Sequence, residues 1–375
     1  MGVGKGPIKV RKTNYYEVGA GKTYAHPQLA LDAVMLASGG TTFAEPHIID
    51  MYDGTYGDNG LGLGVIMALA GVTGTDVIPT AQNPLIIRNH PGQTSVVFNM
   101  AGLNGGIVGM QDATADKIGH VNIRGITFSG AAATGPAIYP NYLGGGPATA
   151  EYVKGWKIEN CKFGEGIVHA FIDGCQDMFW QNIQTLGYTS TLVSPVFCGV
   201  DTMFFKGTFR AENCLWYSEA GPELRPAVGG NIDIVYDRCT LWALNTGVKM
   251  NNNDTELDYT VSLILRDSIV RVKNNAGNLM SCAPRHSTPA GFTLLTPTCS
   301  NNCYRYGGTS YISFGASNAD NCASLAAWRT ATGQDADSIS ADPLFTNVTG
   351  EGMPAPDFTL QAGSPCITPG IGWRP

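Results

Sequence analysis

The segments "RAENCLW" (210–216) and "VYDRCTL" (235–241) decide how this chain folds. Each runs from an acidic residue to Asn or Arg, then Cys, then an apolar residue two places on. Asn tolerates the left-handed backbone of a tight bend, and side chains two apart in a strand point the same way. The unit is therefore strand, one-residue bend, strand, with the thiol and Trp216 or Leu241 pointing inward.

Working outward, five more segments align with these two without gaps: "NIRGITF" (122–128), "KIENCKF" (157–163), "FWQNIQT" (179–185), "ILRDSIV" (264–270) and "CSNNCYR" (299–305). The bend column reads Gly125, Asn160, Asn182, Asn213, Arg238, Asp267, Asn302. The core column reads Ile126, Cys161, Ile183, Cys214, Cys239, Ser268, Cys303, and two residues further lie Phe128, Phe163, Thr185, Trp216, Leu241 and Val270. The core column steps by 22 to 35 residues, which is one coil of a solenoid with loops of variable size. No helix fits between these strands, so they are not βαβ units, and an antiparallel sandwich gives no reason for the Asn and Cys columns. A parallel β-helix does, because each coil pairs with its neighbours and like residues stack in ladders.

The chain's ends point the same way. The piece "W…TGQD" (Trp328, Thr332, Gly333, Gln334, Asp335), then "DPLF" (342–345) and "DFTLQAGSP" (357–365), resembles the C-terminal end of right-handed parallel β-helices of the pectate-lyase-like superfamily. "GKTYAHPQLALDAV" (21–34) resembles their N-terminal capping helix, "IIDMYDGTY" (48–56) the first coil and "PLIIRNHPGQTSVVFNM" (84–100) the next. The resemblance implies an all-β, right-handed parallel β-helix with an N-terminal capping helix and a C-terminal cap, and the chain resembles members of the phage virion and tailspike type. The expected division is a single domain over 1–375: extension and cap at 1–45, coils at 46–310, last coil and cap at 311–375. Exposed solenoid ends polymerise unless covered. Leu29, Ala30, Ala33 and Val34, behind Pro27 in the first turn, are expected on the inner face of one cap, and Trp328, Leu344, Phe345 and Phe358 over the other end.

Composition agrees with a turn-rich sheet protein. Gly is 48 of 375 residues and only 14% of the chain is charged, against about a quarter in ordinary domains. A net charge of −7 leaves no electrostatic footprint for nucleic acid or anionic lipid. The first residues have no apolar run of the secretory kind, and no stretch of 18 apolar residues spans a bilayer. "MGVGKG" misses the myristoylation pattern at Gly6, and "NVTG" (347–350) matches a glycosylation acceptor without a secretory context. The ten cysteines lack paired CxxC spacing and the six histidines are scattered, so no metal site and no cofactor are expected. The thiols are expected to be free, Cys214 and Cys239 on adjacent coils included.

The same alignment gives the outward columns. Just before the bend stand Glu159, Gln181, Glu212, Asp237, Arg266 and Asn301, and two residues earlier Lys157, Phe179, Arg210, Val235, Ile264 and Cys299. Neighbouring coils lie about 4.8 Å apart, so Glu212 and Asp237 stand at roughly the spacing of a retaining glycosidase pair, flanked by Arg210 and Arg266 for substrate. In a lyase the same face would use an arginine as base. Opposite charges across strands also occur simply because they attract. Tyr217 points outward beside Trp216 and is the candidate for stacking on a sugar ring. Asp177 and Asp233 share a further column, with Thr208 between them.

Three readings follow. One is a phage virion surface protein, a capsid decoration or tail-associated β-helix, structural or host-surface-binding, made in the host cytoplasm. Phe179, Val235 and Ile264 then form a lateral contact face, and the expected partners are two further copies in a homotrimer, other virion proteins or host polysaccharide, without nucleic acid or membrane insertion. The second is a polysaccharide lyase or glycoside hydrolase, a depolymerase of bacterial polysaccharide, whose location is extracellular. The third is a non-viral adhesion protein.

Overall fold

The computed structural model describes residues 13–39, 42–60, 64–70, 79–110, 119–130, 135–140, 153–165, 167–172, 175–187, 196–197, 205–224, 231–250, 259–273, 278–282, 292–294, 297–306, 310–314, 322–348 and 356–375. The segment 1–12, His286 and Cys198 lie outside them.

The chain is a parallel β-helix. One sheet stacks Asn14–Val18, His47–Met51, Leu85–Asn89, Val121–Arg124, Lys157–Glu159, Cys175–Gln181, Lys206–Glu212, Asn231–Asp237 and Tyr259–Arg266 in parallel, ending in Phe292–Leu294 and Thr298–Ser300. After the bend, each coil gives a strand to a second parallel sheet, as in Lys162–Phe163, Gln184–Thr185, Leu215–Ala220, Thr240–Met250, Ile269–Val272 and Cys303–Tyr306. Parallel pairing leaves no hairpin, so every coil is a long-range neighbour of the next.

The inward ladders fill the lumen. Across the first sheet Ile49, Ile87, Ile123, Ile158, Trp180, Ala211, Tyr236, Leu265 and Cys299 are successive partners, none more than 3% exposed. Small Ala211 between Trp180 and Tyr236 lets two large rings share the lumen, and each buried aliphatic rung contributes about 1.5–3 kcal/mol. Phe128 meets Phe98 edge-on at 5.5 Å and stacks on Phe163 at 5.1 Å between centroids. Ile126, Cys161, Ile183, Cys214, Cys239 and Ser268 are all fully buried, as the core column requires.

The bend residues hold left-handed φ values: Gly125 68°, Asn160 54°, Asn182 52°, Asn213 50°, Arg238 51° and Asp267 50°. Carboxamides link successive bends: Asn182 Nδ2 donates to Asn160 Oδ1 at 2.9 Å and Asn213 Nδ2 to Asn182 Oδ1 at 3.0 Å. The seventh segment departs by one residue. Its bend is Asn301, at φ 48°, and Ser300 pairs with Arg266 and Cys303 with Ile269. Cys299 therefore faces inward, Ser300 takes the outward place expected of Asn301, and buried Asn302 takes the core place expected of Cys303. Two consecutive asparagines both suit a bend, and the choice falls to Asn302's side chain. Its Oδ1 accepts from Ser268 N at 3.0 Å, and its Nδ2 donates to Leu265 O at 2.8 Å and to Asp335 Oδ1 at 3.1 Å.

Helix Pro27–Ala37 begins with His26 Nδ1 accepting from Gln28 N at 3.2 Å, and Pro27 occupies the first turn, where its missing N–H costs nothing. The helix packs on the strands Asn14–Val18, His47–Met51 and Val65–Ala70. Gln28 takes the place of a neighbouring strand, accepting from Ala68 N at 2.7 Å and donating to Ala68 O at 3.3 Å. The buried face is Ala30, Leu31, Val34 and Met35; the expected Leu29 is 52% exposed and Ala33 only half-buried, because the stripe runs one residue later.

At the other end, helix Leu325–Thr332 stops at Gly333, left-handed at φ 71°. Trp328 lies in the main core. The expected partners do not: Leu344 is 37% exposed, while Phe345 and Phe358, in an antiparallel pair of strands, pack with Cys366, Ile371 and Trp373 on the outside of the second sheet, over Leu215, Tyr217, Trp242, Ile269 and Cys303. From there the chain runs back across the coils along the bends. Asn301 Nδ2 donates to Pro369 O at 3.4 Å, Gly372 N to Asp267 O at 2.6 Å, Trp373 N to Thr240 Oγ1 at 3.0 Å and Arg374 N to Asn213 Oδ1 at 2.8 Å.

Candidate functional site

The residues just before the bends form a continuous outward row, charged at all but two places. Glu17, Asp50, Arg88, Arg124, Glu159, Gln181, Glu212, Asp237, Arg266 and Ser300 are successive partners. Glu212 and Asp237 are neighbours in this row, as the alignment requires. Each is held by arginine. Arg210 donates to Glu212 through Nε at 2.5 Å and pairs with it again through Nη2, and Gln181 Nε2 reaches Glu212 Oε2 at 3.3 Å. Arg266 Nη2 donates to Asp237 Oδ2 at 2.7 Å, and Arg238 Nη1 lies 3.4 Å from Asp237 Oδ1. The hydrogen bond to Asp237 lifts the Arg266 guanidinium above its usual range. Glycoside hydrolysis needs one carboxyl shielded from cations so that it can carry a proton. Here both carboxylates touch arginine, and the two arginines expected to hold substrate are committed to them.

Tyr217 does leave the lumen, on the outward side of its strand. It is fully buried all the same, edge-on to Trp242 at 4.8 Å and to Phe358 at 5.3 Å beneath the C-terminal strands, so no sugar stacks on it. The second acidic column is also occupied: Asp177 accepts from Thr208 N at 2.9 Å where the register shifts, and Asp233 accepts from Ser262 Oγ. Along the lateral column Val235 is buried, Phe179 and Ile264 are half-buried, and Arg210 stands between Phe179 and Val235.

The repeat alignment begins at residue 122 and so misses a cluster on the first coils. Asp50, 3% exposed, receives Arg88 Nε at 2.8 Å and lies 3.4 Å from His90 Nδ1. His90 stacks on Tyr52 at 4.4 Å, and Tyr52 donates to Glu17 Oε1 at 2.6 Å, a bond that raises the phenol above its usual range. Lys22 Nζ sits 3.6 Å over the Tyr52 ring. The signal was present in "IIDMY" and "IIRNH", whose Asp50 and Arg88 precede the bend as Glu212 and Asp237 do.

Beside the charge row runs a groove along the bends. One cavity of about 390 Å³ is lined by Asn160, Lys162, Asn182, Gln184 and Asn213 with Trp373, Arg374 and Pro375. A second, of about 490 Å³, continues it past Asn160 and Lys162 to Arg124, Gln93 and Arg88. Neither lining contains Asp or Glu. Among the described residues no three His, Cys, Asp or Glu side chains gather to hold a metal ion.

No protein-family model and no curated protein matches the chain. Among solved structures it is similar to pectate lyase Pel9A, at 14% identity and a TM-score of 0.40, over 95% of this chain and 91% of that one. The fold assignment rests on the strand pairing above.

Proposed function

We propose that the protein is a non-cleaving surface β-helix of the virion type, structural or host-surface-binding, and that it works as a homotrimer. The observation that carries this reading is the ion pairing along the charge row, in which Glu212 and Asp237 are both tied to arginine. An ion-paired outward row on a stiff solenoid suits lasting contact better than proton transfer. The trimer rests on the lateral column, where Phe179 and Ile264 remain half-exposed beside Val235. Reducing-sugar and unsaturated-uronate assays on a panel of bacterial polysaccharides, with light scattering on the same preparation, test both parts. No product and a trimeric mass are expected. Product formation abolished by Glu212→Gln overturns the non-cleaving reading, and a monomeric mass overturns the trimer.

A depolymerase remains the second reading, and one observation favours it: His90, Tyr52 and Asp50 bring an imidazole, a phenol and a buried carboxylate together beside Arg88, which lines the second cavity. On that reading Tyr52 and His90 handle the proton, and cleavage is lost in His90→Gln while Glu212→Gln retains it.

A further inference from the structure

The asparagine row already binds one extended peptide, the chain's own. Asn213 grips the backbone of one residue at both its N–H and its C=O, accepting from Arg374 N at 2.8 Å through Oδ1 and donating to Arg374 O at 2.8 Å through Nδ2. Asn301 and Thr240 hold Pro369 O and Trp373 N along the same track. Carboxamides aligned at the coil repeat thus act as receptors for backbone amides, much as a sheet edge does.

The track continues beyond the point where this segment fills it. The next bends, Asn182, Asn160 and Gly125, and Asn89 at the strand end one coil further, line the two joined cavities. Three coil steps of about 4.8 Å give roughly 14 Å of free groove, the length of four or five extended residues. Its polar groups are not exhausted: among the described residues Asn160 Nδ2, the Gln184 carboxamide and the exposed Lys162 ammonium have no hydrogen-bond or ion-pair partner. Among the described residues Lys162 and Arg374 carry no carboxylate partner and make this stretch of the lining cationic in a chain whose net charge is −7, whereas Arg88 and Arg124 are already paired to Asp50 and Glu159. The Arg374 guanidinium bonds only to carbonyls, Trp373 O at 3.3 Å and Cys366 O at 3.2 Å. The basic segment 1–12 has the wrong charge to lie there.

We propose that this groove takes an extended acidic segment of a partner protein, laid along Asn182 and Asn160 on the path that Pro369–Arg374 follows over the neighbouring coils, with Lys162 pairing to its carboxylate. The inference holds whether or not the protein cleaves polysaccharide, so the assays above neither support nor defeat it. The test uses a fluorescein-labelled (Gly-Glu)5 peptide, with (Gly-Ser)5, (Gly-Lys)5 and an oligogalacturonate as the other arms, and fluorescence anisotropy against the intact protein. The acidic peptide is expected to bind more tightly than the other three. Lys162→Glu is expected to weaken it about tenfold or more, and Asn160→Ala several-fold with the charge unchanged. A photoreactive copy of the peptide is expected to cross-link within 160–184. Equal binding to wild type and Lys162→Glu, preference for the basic peptide, no binding by any peptide, or oligogalacturonate binding as tightly with the same dependence on Lys162 each overturns the proposal.

Discussion

Replacing Asp335 by alanine is the sharpest test of how the last coil is closed. The Asp335 side chain, 1% exposed, accepts from Trp328 Nε1 at 2.9 Å, Tyr304 OH at 2.9 Å, Asn302 Nδ2 at 3.1 Å and Ser338 Oγ. The alanine variant leaves those donors facing a dry gap, at about 1–3 kcal/mol for each that finds no substitute. Asn302 keeps Leu265 O and the two hydroxyls rotate, so the expected loss is about 3–6 kcal/mol rather than the full sum. The damage should be local, because Arg329 holds the Asp335 backbone carbonyl at 2.8 Å and seats the helix independently of the carboxylate. Urea unfolding gives the magnitude, and hydrogen exchange over 325–340 gives the place. A loss under about 1 kcal/mol with unchanged exchange in that helix refutes the reasoning.

Three further outcomes are expected. His169 is fully buried with neither ring nitrogen bonded and lies stacked on Phe163 at 4.3 Å; burial pushes its pKa down to about 3. Since the folded value is below the unfolded one, its neutral form is at full advantage above about pH 6.5. Stability then drains as pH falls towards 3, by on the order of 4–5 kcal/mol in all. His169→Phe should flatten that part of the acid-unfolding curve, and an unchanged curve contradicts the assignment. Cys161, Cys175, Cys214, Cys239, Cys299, Cys303, Cys322 and Cys366 are free and buried, and burial raises the Cys161 thiol to about 12, so thiol reagents should react slowly with native protein and find all ten in denaturant; fewer than ten means a disulfide. Asn182→Val places a β-branched residue at φ 52° and removes a link of the amide row, so it should cost about 2 kcal/mol or more by chemical unfolding, whereas Asn182→Gly should cost less than half as much.

What the sequence determined by itself is what repeats. Asn, Gly and Asp at the bends, thiol or isoleucine after them and an aromatic or aliphatic residue two places on are local requirements, met once per coil, so six of the seven short segments recover the lumen from Ile126 to Ser268. The reading slipped where two residues met the local requirement equally well. Asn301 and Asn302 both suit a left-handed bend, and only Asp335, Leu265 and Ser268, each on another coil or cap, make Asn302 the inward one. The carboxylates Glu212 and Asp237 and the flanking Arg210 and Arg266 were legible as neighbours, but that each arginine bonds one of the carboxylates is a matter of side-chain geometry that only the structure gives. Tyr217 shows the limit most plainly. Its outward direction follows from the two-residue period of a strand, while its burial depends on Phe358, and on a C-terminal segment that returns to bond Thr240 from Trp373 and Asn213 from Arg374. Those contacts join residues 133 and 161 apart in the chain, obey no period and occur once, so tertiary structure alone decides them and, with them, which part of the asparagine groove stays open.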